Sequence, residues 1–436
     1  MPKSRWFLSV SLLFLLADFC WLIFWDHNQN IDFDFSRLYD FEASIVKLDK
    51  KTDGWQMVVA PRRLPGFSGR LITYLPLYPE YDIGDILQIN CRLKLPEPLV
   101  DARGREFFYD KYLAKDKISA VCQWPKIKVI GQERGVRYYF YRVKKYLWQN
   151  LNDYLVEPSS SLGKAMLLAT SREVPATVNQ AFARVGLSHV IAISGMHMVV
   201  IAWLLNTILI ALGWSRQNAL WLVLLIILFY LFLTGLPGSA VRSVIMLFVV
   251  FIGQALGRRS TPFFSLLWSA DIIVLLNPYV LLYDVGWQLS FLAVLGLLCY
   301  GKFFNKLLFF MPEIFGIREV CAVTLAAQIF TTPLIVYYFG IFSLVAPVAN
   351  LIIVPLSTLT LILSMLLGIF GFWPLLAWLL AWPLFILLKI MVMTAEYLAG
   401  WPGAFLTLGV FPVSYLWLAL TLLFIITWLL KPYHYE

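Results

Sequence analysis

Three regimes of hydrophobic patterning follow one another along the chain. Phe7 to Trp25 is an apolar run interrupted by one acid, Asp18. Short β-prone runs come next, Phe41 to Leu48, Trp55 to Ala60, Asp85 to Leu93 and Ile118 to Trp124, divided by Gly, Pro and Asp turns. Such alternation predicts a small β-barrel of the OB type. From Ser188 the apolar segments lengthen: 188–212, 217–235, 239–256, 262–276, 284–300, 319–339, 344–370, 374–399 and 406–430. Most approach the roughly 20 residues that a bilayer core requires. The pattern predicts a polytopic α-helical membrane protein of about ten spans, with an extracytoplasmic all-β OB-like domain inserted after the first.

Composition supports lipid as the solvent for much of the chain. Of 436 residues, 60% are hydrophobic and 14% charged, with a mean hydropathy of +0.74, which is more apolar surface than one water-soluble core can hide. Only 15 of the 249 residues from Ser188 onward are Asp, Glu, Lys or Arg, as expected where an embedded charge costs about 2.5–3.5 kcal/mol. Residues 26–187 instead carry 24 basic and 19 acidic side chains, the mark of a soluble domain. Lys3 and Arg5 precede the first apolar run, yet Cys20 to Trp25 ends in aromatics with no small-x-small site, so an uncleaved anchor over 1–25 is expected.

Basic residues of the short loops set the orientation. Lys3, Arg5, Arg216, Arg258, Arg259, Lys302, Lys306, Arg318 and Lys431 all fall on one face of a ten-span chain. Both termini are therefore expected in the cytoplasm, in an inner membrane, with the β domain outside. Arg134 to Lys145 is cationic and aromatic without an acid and predicts a helix on the membrane surface. Residues 158–187 are too short and too charged to span and read as interfacial helices.

Polar side chains inside apolar segments carry the candidate chemistry. Ser194 and Gly195 interrupt a span, and Ser194 and His197, three apart, share a helix face; His189 lies about 80° around it. These residues suit a polar cavity, or else close helix packing through small side chains. Leu236-Pro237-Gly238 is a turn after Thr234 and Gly235, and Arg242 stands one turn into the next span, as a phosphate contact or as a snorkelling cation. Asp284, Gln288 and Ser290 mark one polar sector, Asp284 at a helix start. Asp271 and Lys389 are deep in their spans and are expected to face protein or water.

In the β domain Arg62, Arg63, Arg70, Arg92, Lys94, Arg103 and Arg105 interleave with Trp55, Phe67, Tyr74 and Phe107. Single-strand binders combine such groups, while barrel interiors need aromatics too. Cys91 and Cys122 are its two cysteines, either a disulfide or two small buried hydrophobes.

Four segments together resemble the ComEC family of DNA-uptake proteins. They are Gly186 to His197 (GLSHVIAISGMH), Leu233 to Met246 (LTGLPGSAVRSVIM), Asn277 to Phe291 (NPYVLLYDVGWQLSF) and, in the β domain, Phe107 to Ile118 (FFYDKYLAKDKI). The resemblance implies an OB-like domain over 26–132, connecting basic and interfacial helices over 133–187 and a competence-type transmembrane channel domain over 188–436. It also implies passage of single-stranded DNA into the cytoplasm during natural transformation. The path would be bordered by His189, Ser194, Gly195, His197, Thr234, Gly235, Pro237, Arg242, Asp284, Gln288 and Ser290.

Larger family members append a metallo-β-lactamase-like nuclease domain. Four histidines, His27, His189, His197 and His434, cannot furnish its two-metal site, so the expectation is a form without its own nuclease, catalytic group, metal or cofactor. The partners implied are single-stranded DNA, the lipid bilayer, a separate nuclease, a DNA receptor and, with no Walker A sequence present, a cytoplasmic helicase or ATPase. Other readings are a small-molecule transporter, a family member that has lost uptake, or an intramembrane serine hydrolase using Ser194.

Overall fold

The computed structural model describes residues 33–429 apart from 36, 52–53, 101–103, 105, 124, 256–261 and 314–315. The expected anchor over 1–25, Arg103, Arg105, Arg258, Arg259 and Lys431 lie outside the described residues. The chain divides into two compact units, one running to Tyr146 and including Leu267–Val285, the other comprising Leu147–Leu266 and Gly286 onward.

In the first unit, strands β1 (Leu38–Lys51), β2 (Gly54–Pro61), β3 (Arg70–Leu75), β4 (Asp85–Lys94), β5 (Leu99–Val100), β6 (Glu106–Phe107), β7 (Ile118–Gln123) and β8 (Lys126–Gln132) follow in order, with helix α1 (Tyr109–Ala114) before β7. β1 pairs β2, β2 pairs β3, β3 runs parallel to β7, β7 meets β4, and β4 returns to β1, closing a five-stranded OB-like barrel to which β8 adds along β4. Period-two alternation builds it: Phe41, Ala43 and Ile45 of β1 and Leu87, Ile89, Cys91 and Leu93 of β4 all point into one core. Cys91 and Cys122, on neighbouring strands, are bonded sulfur to sulfur with Cα atoms 6.3 Å apart.

Helix α2 (Val136–Tyr154) follows. Tyr141 and Lys145 both bind Asp82 of the barrel, at 2.7 and 2.8 Å. One face of its basic half is thus committed to protein, leaving Arg137 and Arg142 exposed.

The second unit is helical. Helices α3 (Ser159–Leu168), α4 (Ala176–Arg184), α5 (Ser188–Ile191), α6 (Gly195–Ala211), α7 (Arg216–Leu233), α8 (Gly238–Ala255), α9 (Pro262–Leu276), α10 (Tyr279–Tyr283), α11 (Val285–Leu307), α12 (Ile317–Phe339), α13 (Ala346–Phe370), α14 (Pro374–Ala399) and α15 (Val413–Leu429) complete the described chain; α10 and parts of α9 belong to the first unit. Five of them, α7, α11, α12, α13 and α14, are long and apolar enough to cross a membrane, and α6, α8, α9 and α15 are shorter apolar helices. Apolar side chains face outward as well as inward. Trp203, Trp221, Trp378 and Trp428 face outward, while Ser357, Thr360 and Ser364 are buried; large outward apolar surface of this kind fits contact with lipid.

Helix α3 is enclosed by protein. All ten of its residues are buried, against α13 and α14. Small residues permit the approach: a Cβ on Gly163 would already touch Leu388 at 3.4 Å. Lys164 is tolerated because its Nζ reaches Asn152 at 3.1 Å, Glu157 at 3.4 Å and Glu173 at 3.5 Å and lies 4.3 Å from the Trp148 ring centre. A buried cation is stable only when so compensated.

Candidate functional site: a broken helix and its seam

The segment expected to be one continuous helix over 188–212 is broken. α5 stops at Ile191, Ala192 and Ser194 are extended, and α6 begins at Gly195. The cause is local. Ser194 caps α6, and its backbone N–H donates to His197 Nδ1 at 3.0 Å, completing a reciprocal capping box. With Nδ1 accepting, the neutral ring carries its proton on Nε2, which is buried and meets no partner among the described residues. His189, on α5, is exposed whereas His197 is fully buried, so the helical-wheel relation expected between them does not exist.

Helix α8 covers the break. Ser239 Oγ donates to the carbonyl of Ile193, and Ser243 Oγ donates to the Ser239 carbonyl at 2.9 Å. A Cβ on Gly195 would stand 2.6 Å from Ser243 Oγ, so the glycine is what lets the two helices close. Buried non-helical backbone persists only where protein or water satisfies it, and here a serine hydroxyl does so. Ser239 and Ser243 escaped the sequence reading because serine is unremarkable in a span. Their spacing of four, which puts both on one helix face, was the available signal.

The other candidates fall into place around this seam or away from it. Gly235 and Leu236 end α7 with Gly235 N–H to the Phe232 carbonyl at 3.2 Å and Leu236 N–H to the Leu231 carbonyl at 3.1 Å, a Schellman cap. Gly235 has φ +83° and Leu236 φ +59°; the glycine is suited to that region, while the leucine stores strain at this turn. Thr234 is buried, its hydroxyl donating to the Leu231 carbonyl at 3.0 Å, and Pro237 starts α8 by accepting from Ala240 and Val241. Arg242, between the two serines along α8, is only 4% exposed, so it is neither a snorkelling cation nor an open one.

Asp284 departs from the expected sector with Gln288 and Ser290. It precedes α11 in extended conformation, and its carboxylate pairs with Lys115 at 3.5 Å. In the same unit Asn277 Nδ2 donates to the Lys115 carbonyl at 2.7 Å and Phe108 meets Tyr283 edge to face. Gln288 and Ser290 are half-buried on α11. Asp271 is 3% exposed, enclosed by protein, and Lys389 is exposed beside the Phe385 ring. The four sequence segments thus meet in pairs, the first with the second and the third with the fourth.

On the barrel, several of the groups that suit strand binding are engaged within the domain. Trp55 Nε1 donates to the Leu77 carbonyl at 3.0 Å, Phe67 packs on Phe33, Tyr74 bonds Tyr109 and Arg62 pairs with Glu133. The Ser194 and His197 pair does not form a hydrolase triad either. The ring nitrogen facing Ser194 Oγ, at 3.5 Å, is the one already held by the cap, and no carboxylate orients the far one. No group of three or more His, Cys, Asp or Glu suited to a metal gathers among the described residues.

A closed β-barrel joined to a bundle of outward-apolar helices, one of them broken and capped, defines a polytopic membrane protein with an OB-like domain. Residues 166–433 match the competence-protein family, Competence, which covers more than half of the chain, and the protein belongs to that ComEC-type family. The match begins inside α3, in keeping with the burial of that helix. The chain is similar to ComE operon protein 3 of Bacillus subtilis (strain 168), 27% identical over 62% of this chain and 34% of that one. It is also similar to an uncharacterized protein of Aquifex aeolicus (strain VF5), 28% identical over 50% of this chain and 53% of that one. The chain therefore spans about a third to a half of the curated relatives it matches. No solved structure matches.

Proposed function

We propose that this chain is a membrane channel component that carries single-stranded DNA into the cytoplasm during natural transformation, its β domain outside and both termini inside. The family membership supports DNA uptake. The observation that carries the channel reading is the capped break at Ala192 to Ser194, because spans interrupted at membrane depth are the usual way a helical membrane protein presents backbone and polar side chains to a permeant. As drawn, the seam is shut. A strand would pass where α6 and α8 part, exposing the Ile193 carbonyl, the Ser239 and Ser243 hydroxyls and the Nε2–H of His197, with Arg242 released to meet phosphates. A separate nuclease, receptor and cytoplasmic motor remain the implied partners.

The test is import of labelled DNA by a deletion strain complemented with Arg242→Ala or His197→Ala. Each variant, at wild-type membrane levels, is expected to lower import at least tenfold. Wild-type import in the deletion strain would refute the uptake role. Unchanged import in both variants would remove the seam from the path.

A further inference from the structure

A groove of about 420 Å³ opens between α11 and α12, lined by Leu297, Gly301, Lys302, Asn305, Lys306, Glu319, Ala322 and Val323. Its two ends differ in chemistry. Leu297, Ala322 and Val323 form an apolar wall, and Leu297 and Val323 are among the outward-facing hydrophobics of these helices. Lys302 and Lys306, four apart on one face of α11, form the other end, and no carboxylate lies within ion-pair distance of either among the described residues. Around that end Phe303, Leu307, Phe309 and Phe310 are exposed, the last two at 76% and 68%, the aromatic crowding typical of a bilayer interface. Arg318 is engaged elsewhere, stapling the connection through the Asn305 carbonyl at 2.8 Å and Glu313 at 2.6 Å.

Gly301 shows that the groove is kept open. Glycine inside a helix is unfavourable relative to alanine, and usually close packing explains it. Gly296, one and a half turns earlier, is such a case, since a Cβ there would stand 2.4 Å from the Ala326 carbonyl oxygen. At Gly301 a Cβ would meet only the tip of Leu297, at 3.4 Å. No neighbour demands the missing side chain; the space beside it is the groove.

We infer that this groove binds an anionic glycerophospholipid: acyl chain along Leu297, Gly301 and Val323, phosphate between Lys302 and Lys306, and a head-group hydroxyl donating to Glu319. The apolar wall distinguishes this ligand from a nucleic acid strand, which would use the two lysines and leave the wall unfilled. Basic pockets between spans are a recurrent head-group site. The inference rests on α11 and α12 crossing a membrane but not on DNA passage.

The experiment is native mass spectrometry of the full chain, purified in detergent, delipidated and supplied with phosphatidylglycerol or phosphatidylcholine. Wild-type protein is expected to retain phosphatidylglycerol at least fivefold over phosphatidylcholine. Lys302→Gln with Lys306→Gln removes the preference. Gly301→Leu keeps both charges, improves helix propensity and fills the groove, so it loses the lipid without unfolding. Equal retention by wild type and both variants overturns the site. Competition by glycerol phosphate as effective as by lipid would assign the lysines to a free anion. Displacement of phosphatidylglycerol by a 20-nucleotide oligothymidylate, with its binding undisturbed by Gly301→Leu, would assign them to nucleic acid. Recovery of the chain in the soluble fraction without detergent defeats the membrane premise, a different failure from loss of lipid preference alone.

Discussion

Substitution at Gly195 tests the seam quantitatively. An alanine Cβ there would lie 2.6 Å from Ser243 Oγ but 3.7 Å from Ser243 Cβ, so only the hydroxyl is in the way. Rotating it aside forfeits its bond to the Ser239 carbonyl, a net loss of about 0.5–1.5 kcal/mol, against which the gain from replacing a helical glycine is about 0.5–1 kcal/mol. Gly195→Ala should therefore be near neutral, within about 1 kcal/mol. Valine adds two methyl groups that no hydroxyl rotation accommodates. Overpacking of about 1–3 kcal/mol, together with about 1–3 kcal/mol for an Ile193 carbonyl parted from Ser239, puts Gly195→Val at about 2–6 kcal/mol. The sharper measurement is a double-mutant cycle of Gly195→Ala with Ser243→Ala. With the hydroxyl gone the Cβ contact is ordinary, and the pair should couple by about 1 kcal/mol. Thermal unfolding of the detergent-solubilised protein reads the energies, and DNA import reads the function. Zero coupling would show that Gly195 and Ser243 do not face each other, and with that the seam would be lost.

Other consequences can be measured separately. Lys164→Ala, which removes the cation bonded to Asn152, Glu157 and Glu173 while Trp148 Nε1 still donates to Glu173, should cost about 1–3 kcal/mol, read as a lowered melting temperature, while Lys164→Met should recover part of it. Burial alone would raise the Asp82 carboxyl, but hydrogen bonds from Lys145 and Tyr141 and the charges of Lys145 and Arg142 outweigh it and hold it low. Its contribution is therefore complete above the unfolded carboxylate value and is lost as pH falls through the lower folded value. Asp82→Asn should flatten the acid limb of a pH–stability curve by about 1 kcal/mol at most, given its exposure. With 31 residues separating Cys91 from Cys122, loop closure predicts that Cys91→Ser costs about 3–4 kcal/mol, seen as a melting temperature in the variant that reductant no longer lowers.

How much was legible in the sequence depends on whether a signal is periodic. The barrel strands around Phe41 and Asp85 alternate cleanly, and the apolar segments from residue 217 onward each mark a helix, most to within two residues, though α11 runs on to Leu307 and α15 starts only at Val413. The break at Ser194 was visible as a Ser-Gly interruption. Its consequence was not, because hydropathy averages over a window wider than three residues and cannot distinguish a capped break from a polar helix face. The burial of helix α3 was hidden for a related reason. Lys164 counts against burial in any linear reading, and only the fold brings Glu173 and Trp148 to it. The burial of Arg242 was not legible either, because enclosure inside a bundle is a property of packing, which the sequence does not display. The barrel aromatics were ambiguous for the same reason, since stacking platform and core filler share a composition.

The ion pair of Lys115 with Asp284 and the bond from Asn277 to the Lys115 carbonyl bear on how the protein can be recombined. Residues 267–285 are threaded through the middle of the helical sequence, yet they fold with the barrel. A chimera cut at the sequence ends of the β domain would set a foreign residue in place of Lys115 against the resident Asp284, losing the ion pair unless that residue is also basic. The transplantable module is discontinuous: the barrel has to travel with its distant segment Leu267–Val285, the end of α9 and all of α10, and sequence variation at Lys115 is expected to be answered at Asp284 rather than anywhere nearby in the chain.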